Sequence, residues 1–551
     1  MNAVETKQSS AQEEIAGEVI RKRDQLASQR STWEGHWQEI AELVFPTDSR
    51  SFSSLPNIIN QGEKRGQKMF DSTANTALNR FVAIMDSLLT PHNQMWHKIT
   101  TDDPTLNRNH KVKEYFDTVT KILFAERYSQ TSNFVGQNQL VWLALGAYGT
   151  GGLFTDQLWG NPGIRYKHIH LSELYFSENH QGFPDTVYRS YRLTARQAMQ
   201  KWGTANAAII QNMAKDNPET LYDFIHCTMP KENYDPMRRD FRGMPFASYD
   251  VSVVGNRLLV EGGYRTFPYA VSRYTQSLQE VYGRSPAMDV LPTIKTLNEE
   301  KKSLLVQAHR ATNPIYLVHD DGVLNTMSAR PGTVLAGGMS PDGRKLVDTL
   351  QVGNTQIGQD IMTDDRNDIK DAFLVSLFQI LVESPQMTAT EVMERTREKG
   401  MLIAPTIGRQ EAYLANVINR EIDVLAQQGR LPPMPNLLRA AGGQYKIRYE
   451  SPLAKMRRAE EASGLMRMMQ TSLEIAQATQ DPTVMFYYNF DNIMPDLADI
   501  NGLPAKWVNT LETVQAMKQG LQEQKATEQL IQAGPSAAAV IKATGSGQGG
   551  I

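Results

Sequence analysis

Apolar residues recur at three- and four-residue steps through the first quarter of the chain, the spacing that puts them on one face of a helix. Trp33, Trp37, Ile40, Ala41 and Val44 mark such a face, and Pro46 stops it. A second face runs through Ala77, Leu78, Phe81, Ile84, Met85 and Leu88, opened by Asp71-Ser72-Thr73 and ended by Pro91. Val112, Tyr115, Phe116, Val119, Ile122 and Leu123 make a third, and Asn138 to Ala147 a fourth, closed by Gly149. From about Leu153 the period changes toward two. Ile164, Tyr166, His168 and His170 alternate with Arg165, Lys167 and Ile169. Tyr188 to Arg192, Asp223 to Met229, Ser248 to Val254, Leu258 to Tyr264 and Pro268 to Tyr274 are further short strands punctuated by Gly or Pro. The pattern predicts an α+β body, mainly helical, with an antiparallel sheet.

The stretch from Tyr282 to Glu394 differs from the rest. Ser285 offers a cap and Pro286 suits a first helical turn. Val290, Leu291, Ile294, Leu297, Leu304, Leu305 and Ala308 then share a face down to about Ala311, with Pro292 either kinking the helix or marking its start. Ile315 to His319 and Thr333 to Ala336 read as strands around turns at Asp321-Gly322 and Pro341-Asp342-Gly343. A helix resumes with Ile361, Met362, Ile369, Phe373, Leu377 and Ile380 and ends before Pro385. Thr388-Ala389-Thr390-Glu391 matches a capping box for a helix expected to end at Gly400. A separate helix is expected from Arg409 to Gln428, a strand from Gln444 to Tyr449, and helices over Pro452 to Ala478 and Pro504 to Ile531. The tail from Ala533 is small and flexible by composition.

Composition removes several function classes. The 57 basic and 60 acidic residues leave a net charge of −3, where a dedicated nucleic-acid binder carries a basic surplus to displace counterions. Passing contact with DNA stays open. Cys227 is the single cysteine, which excludes an intrachain disulfide and a cysteine zinc site; it reads as a small buried hydrophobe in a strand. MNAVETKQSSAQEEIAGEVI lacks a basic region followed by an apolar core, and no run approaches the ~18–20 apolar residues that span a bilayer, so a soluble protein of the reducing cytoplasm is expected.

Little in the chain is arranged for chemistry. Tyr148-Gly149-Thr150-Gly151-Gly152 is glycine-dense, but Leu153-Phe154 stand where a phosphate loop needs a lysine and a hydroxyl, so it reads as a helix-to-strand turn. His168 and His170 could pair on a metal, with His180 near in sequence, but the spacing supplies no third ligand. Met237 to Arg242 and Lys455 to Arg458 are short basic clusters with acidic neighbours, best read as surface. No nucleophile elbow and no Walker sequence is present. Asp360, Asp364, Asp365, Asp368 and Asp371 face only Arg366 and Lys370. They spread around the helix rather than converging as ligands, which leaves either a solvated face or a wall that repels passing phosphates. Catalytic, metal and cofactor residues are therefore expected to be none.

Several stretches resemble the portal proteins of short-tailed bacteriophages, also called head-to-tail connecting proteins. They are WEGHWQEIAELVFP (33–46), GEKRGQKMFDSTANTALNRFVAIMDSLLTPHNQMWHKI (62–99), YGTGGLF (148–154), YGRSPAMDVLPTIKTLNEEKKSLL (282–305), MTATEVMER (387–395) and YESPLAKMRRAEE (449–461). The resemblance implies a ring of twelve copies around a central channel. It divides the chain into a wing (1–284), a first stem helix (285–311), a clip (312–354) and a second stem helix (355–382). A channel loop (383–388), wing helices and strand (389–452), a crown or barrel (453–532) and a tail (533–551) complete it. It implies a structural role and not an enzyme: a virion component made in the host cytoplasm, seated at the capsid's portal vertex, through which the genome is packaged and ejected.

The implied partners are eleven further copies, the major capsid protein, scaffolding protein, the terminase large subunit, a tail adaptor or tail tube protein, internal core proteins, and double-stranded DNA in the channel, with no membrane. Asp364, Asp365, Asp368 and Asp371 are the candidates for the channel wall, and Glu383, Ser384, Pro385, Gln386 and Met387 for a valve loop. Arg330, Arg344 and Lys345 are candidate clip contacts. The competing readings are a hydrolase with an unrecognised site, which needs turnover by the isolated protein, and another ring-forming DNA-binding module, which needs tight duplex binding at physiological salt.

Overall fold

In the computed structural model the described residues are 2–48, 64–203, 218–318, 339–350, 356–376, 389–450, 452–480, 487–500, 507–509 and 513–525, with a few single positions between them. The chain divides into two compact units, one of residues 1–92 and 126–428 and one of 93–125 and 429–551.

Helix α1 (Asn2–Leu43) opens the first unit, followed by α2 (Thr73–Leu89). After α4 (His110–Arg127) comes α5 (Phe134–Tyr148), then β2 (Thr150–Gln157) and β3 (Ile164–Ile169). A meander of β4 (Leu174–Glu178), β5 (Pro184–Thr194), β6 (Leu221–Pro230), β7 (Phe246–Ser252) and β8 (Arg257–Tyr264) forms a five-stranded antiparallel sheet in sequence order. Strand β9 (Tyr269–Arg273) returns to pair with β2, giving a second sheet ordered β3-β2-β9. Helix α6 (Ala195–Trp202) follows β5, opened by a capping box in which Thr194 and Gln197 exchange hydrogen bonds.

The large sheet is covered on both faces, which is why β6 does not alternate cleanly. Ile225 and Cys227 pack toward Ala16 and Val19 of α1, with Tyr175, Tyr188, Val251 and Leu258. Phe224, one residue over, packs with Tyr191, Ala198, Trp202 and Leu259 on the other side. Burial pushes the Cys227 thiol up to about 12, so it is the inert hydrophobe expected rather than a nucleophile.

Next come α7 (Pro286–Asp289) and α8 (Leu291–Thr312). Pro292 lies in the first turn of α8 and so marks a start, not a kink: the helix pattern expected from Ser285 is two helices broken at Val290. Strands β10 (Tyr316–Val318) and β11 (Val347–Thr349) pair antiparallel, and the turn expected at 341–343 is present, with Gly343 left-handed. Helix α9 (Gln356–Ala372) ends earlier than the apolar pattern predicts, because Leu374 turns left-handed while Phe373 and Val375 on either side of it stay buried. Helix α10 (Ala389–Gln427) is continuous where two helices are expected: Gly400 does not end it and Pro405 lies inside it. Burial of Ile407, Tyr413, Leu414, Val417, Ile418, Val424 and Leu425 outweighs the roughly 3 kcal/mol that an interior proline costs.

The second unit holds α3 (Pro104–Arg108), most of α4, and β1 (His97–Thr100) paired antiparallel with β12 (Lys446–Tyr449). Trp96 meets Phe124 edge-on at 5.7 Å, and Thr120 Oγ1 accepts from the Ile99 amide at 3.2 Å. Helices α11 (Asn436–Ala440), α12 (Pro452–Thr479) and α13 (Phe490–Ile500) follow. Residues 513–525 are helical, whereas Val508 and Asn509 are not, so no helix runs unbroken between 507 and 525.

Candidate functional site: two helices on an interlocked junction

Three of the quoted sequence stretches meet at one place in the first unit. The Gly149 carbonyl accepts from the Tyr274 amide at 2.9 Å, Thr150 Oγ1 from the Gly283 amide at 2.8 Å, and the Ala147 carbonyl from Ser285 Oγ at 2.8 Å. Ser285 Oγ in turn caps α7 by accepting from the Met288 amide at 3.1 Å. Thr150 and Ser285 are fully buried. Tyr282 docks its ring on Trp37 at 5.2 Å, Trp33 at 6.1 Å and Phe176 at 4.8 Å.

The glycines of the loop serve contact, not phosphate. A Cβ on Gly149, which sits at φ +76, would lie 2.5 Å from the Arg284 carbonyl carbon, and one on Gly151 2.8 Å from the Val141 carbonyl oxygen. The turn expected here is therefore a close backbone crossing that bolts α7 and α8 to α5.

Helix α8 is held only at its base. Leu291, Ile294 and Leu297 are buried, and Asn298 clamps the segment before α2: its Oδ1 accepts from the Phe70 amide at 2.6 Å and its Nδ2 donates to the Lys68 carbonyl at 2.9 Å. From Glu299 onward no α8 side chain is buried. Leu305, expected on the apolar face, is 42% exposed, and Val306 beside it 46%. Ile315, Tyr316 and Leu317 beyond the helix are similarly open.

Helix α9 buries Met362 and Ile369, and the buried Phe373 just past its end meets Phe81 of α2 ring to ring at 6.3 Å. Ile361, expected on the same face, is exposed. Asp364, Asp368 and Asp371 lie at i, i+4 and i+7 on the opposite, exposed side, and Asp365 is half-buried between the faces. Arg366 does not neutralise them. Its Nη2 and Nε reach Asp71 Oδ2 at 2.8 and 3.2 Å. Burial raises the Asp71 pKa, but hydrogen bonds from Thr73 and Arg366 outweigh this and lower it. The aspartate face is thus more negative than the local sequence implied.

The other candidates separate. His170 is engaged, with Nε2 on Asp48 at 2.9 Å and Nδ1 on Ser172 at 2.7 Å, while burial drives the His168 pKa down to about 3 with His170 adding to the effect. His180 is exposed. Among the described residues no group of three His, Cys, Asp or Glu side chains is placed to hold a metal. In the basic loop at 237–242, Arg238 pairs with Asp240 at 3.0 Å and Arg242 lies over Phe241. The side chains of 455–458 lie outside the described set. Arg344 and Lys345 are exposed beside the turn at Gly343. Arg330 and the segment Glu383, Ser384, Pro385, Gln386 and Met387 lie outside the described residues. Among the described residues no helix is long and apolar enough to cross a membrane. Sequence reasoning missed the roles of Asn298, Tyr282 and the Arg366–Asp71 pair, because the partners of each lie far away along the chain.

What this geometry describes is an anchored pair of helices rather than a reaction centre. The model of the bacteriophage head to tail connecting protein family matches residues 16–508, and the chain belongs to that family. It is 26% identical over 534 residues to the portal protein of Salmonella phage epsilon15, covering 94% of this chain and 93% of that one. It is 27% identical over 519 residues to the probable portal protein of Bordetella phage BPP-1, covering 92% and 91%. A solved chain titled "Neck of empty GTA particle computed with C6 symmetry" overlaps 71% of this chain and 85% of its own at TM-score 0.36 and 11% identity, a likeness too loose to build on.

Proposed function

We propose that this chain is a portal protein: a ring of twelve copies at one capsid vertex, through which double-stranded DNA is packaged and later ejected. The observation that carries the reading is resemblance along nearly the whole length to two phage proteins named as portals. The junction supports it. Helix α8 is bolted at its base, while its outer half keeps apolar side chains in the open, as a subunit waiting for neighbours does.

In this reading α8 and α9 belong to the stem. Asp364, Asp368 and Asp371 line the channel, where carboxylates keep phosphates from sticking to the wall, while Asp365, expected with them, sits toward Glu300 of α8. Glu383 to Met387 form the valve loop, and the segment with Arg330, Arg344 and Lys345 forms the clip that meets the terminase large subunit and afterwards the tail adaptor. Scaffolding protein, the major capsid protein and internal core proteins are the assembly partners, with the ring as initiator. In a reconstituted head-assembly reaction, capsid and scaffolding proteins should make packaging-competent heads only when this chain is added. Equal packaging without it would overturn the proposal.

A further inference from the structure

The contact between α8 and α9 contains a charge conflict that the proposed function does not use. Glu300, on the first turn of α8 to leave the core, has its Oε2 shielded from solvent without a hydrogen-bond partner, and so does Asp365 Oδ2 on α9. A carboxylate oxygen removed from water and given no donor is costly while ionised. Burial and then the charge of Asp365 push the Glu300 pKa up, and burial followed by Asp368 and Asp364 pushes that of Asp365 up. Every charge acting on the two is itself a carboxylate.

None of the nearby cations pairs with either carboxylate. Arg366 is taken by Asp71, Lys295 by Glu39 of α1 at 2.7 Å, and Lys68 by Glu42 of α1 at 2.7 Å. Lys302 reaches Glu299 at 3.4 Å and lies over the Phe70 ring. Lys301 of α8 and Lys370 of α9 do not pair with either residue. Of the remaining elements packed on α8 and α9, α7 adds another carboxylate, Asp289, whose pKa burial also raises. Arg80 of α2 is exposed.

We propose that the α8–α9 contact is proton-sensitive: Glu300 and Asp365 push the two helices apart when both are ionised, and protonation of either one relieves the push. The sign follows from the chemistry. The folded contact holds a proton more tightly than the separated helices, so packing tightens as pH falls and loosens as pH rises above the ordinary carboxylate range through the raised pKa of the pair. A partner that brings a cation to this face would act in the same direction as acid. The inference concerns the helix pair itself and stands whether or not the chain closes into a ring.

The test is hydrogen exchange of the full-length protein at pH 5.0, 6.0 and 7.5, corrected for intrinsic exchange and referenced to α5, with Glu300→Gln and Asp365→Asn beside the parent and the oligomeric mass recorded in parallel. The parent should show several-fold slower exchange in residues 291–312 and 356–372 at pH 5.0 than at 7.5. Each variant should show the slow rate already at pH 7.5. Glu299→Gln, which changes an exposed neighbour, should keep the parent's profile. A parent without pH dependence in these segments would overturn the proposal, as would two substituted proteins that both retain the parent's profile.

Discussion

Replacing Gly149 by alanine probes the junction under the two helices directly. The position carries two separable burdens. Its φ of +76 costs an L-residue about 1–2 kcal/mol. An added methyl would also stand 2.5 Å from the Arg284 carbonyl carbon and 2.6 Å from that of Gly283, backbone atoms that cannot swing aside. Forcing such overlap costs about 1–3 kcal/mol more. The expected total is about 2–5 kcal/mol, and the strain falls on the hydrogen bonds that seat Gly283 and Ser285. Gly160 supplies the control, because it sits at φ +79 with nothing within 4 Å of its Cβ position. Gly160→Ala should lose only the backbone part, about 1–2 kcal/mol. The assay is equilibrium urea unfolding followed by tryptophan emission, since Trp33 and Trp37 lie against Tyr282 in the junction. If Gly149→Ala costs no more than Gly160→Ala, the interlock described above is not what holds α7 and α8.

Other consequences can be checked in the same protein. The fully buried Arg127 meets Glu421 through Nε at 2.9 Å and through Nη2, and Tyr166 donates to the same carboxylate at 2.6 Å; burial disfavours the Arg127 charge, but Glu421 outweighs it and raises the pKa. Arg127→Met or Glu421→Gln alone should cost roughly 3–5 kcal/mol by stranding a buried charge, and the double substitution should recover much of it in denaturant melts; additive losses would contradict this. Burial holds His226 at about 4 and His168 at about 3, so below pH 6.5 the unfolded chain takes up protons that the folded one refuses. Stability should therefore fall as pH drops from 6.5 toward 4, by roughly 2 kcal/mol for each histidine at pH 5, and His226→Gln should remove part of that slope. Changing Asp364, Asp368 and Asp371 to lysine should slow DNA packaging at low salt; an unchanged rate would place those residues away from DNA.

How much of this was legible beforehand depends on the kind of signal. The helices over Ala77 to Leu88 and Val112 to Leu123 were plain because one apolar stripe each was enough to bury them. Most strands of the large sheet were plain from their length and the Gly and Pro that punctuate them, although β4, with Leu174, Tyr175 and Phe176 all buried, shows no alternation to read. Local breakers misled wherever packing further along the chain decided the matter. Gly400 looked like a helix end, yet the segment beyond it is pinned to β2 and β9 by residues such as Gln410, which donates to the Arg273 carbonyl at 3.0 Å. The reverse error occurred at Leu374, where an unbroken apolar pattern hid a left-handed turn.

At the candidate site, the aspartate face of α9 was visible because charge is written in the sequence. The diversion of Arg366 to Asp71 was not, since 295 positions separate the two along the chain. The same holds for the meeting of Glu300 with Asp365, which lie 65 positions apart until two helices bring them together. The motifs of the junction were recognisable separately, while their mutual contact is a product of the fold alone.

The central claim is that the chain assembles into a closed ring, and the mass of the purified full-length protein by native mass spectrometry tests it most directly. Twelve copies of the 61.9 kDa chain should give a species near about 740 kDa that persists on dilution. A stable monomer or dimer at micromolar concentration, with no ring appearing when scaffolding protein is added, would contradict the account.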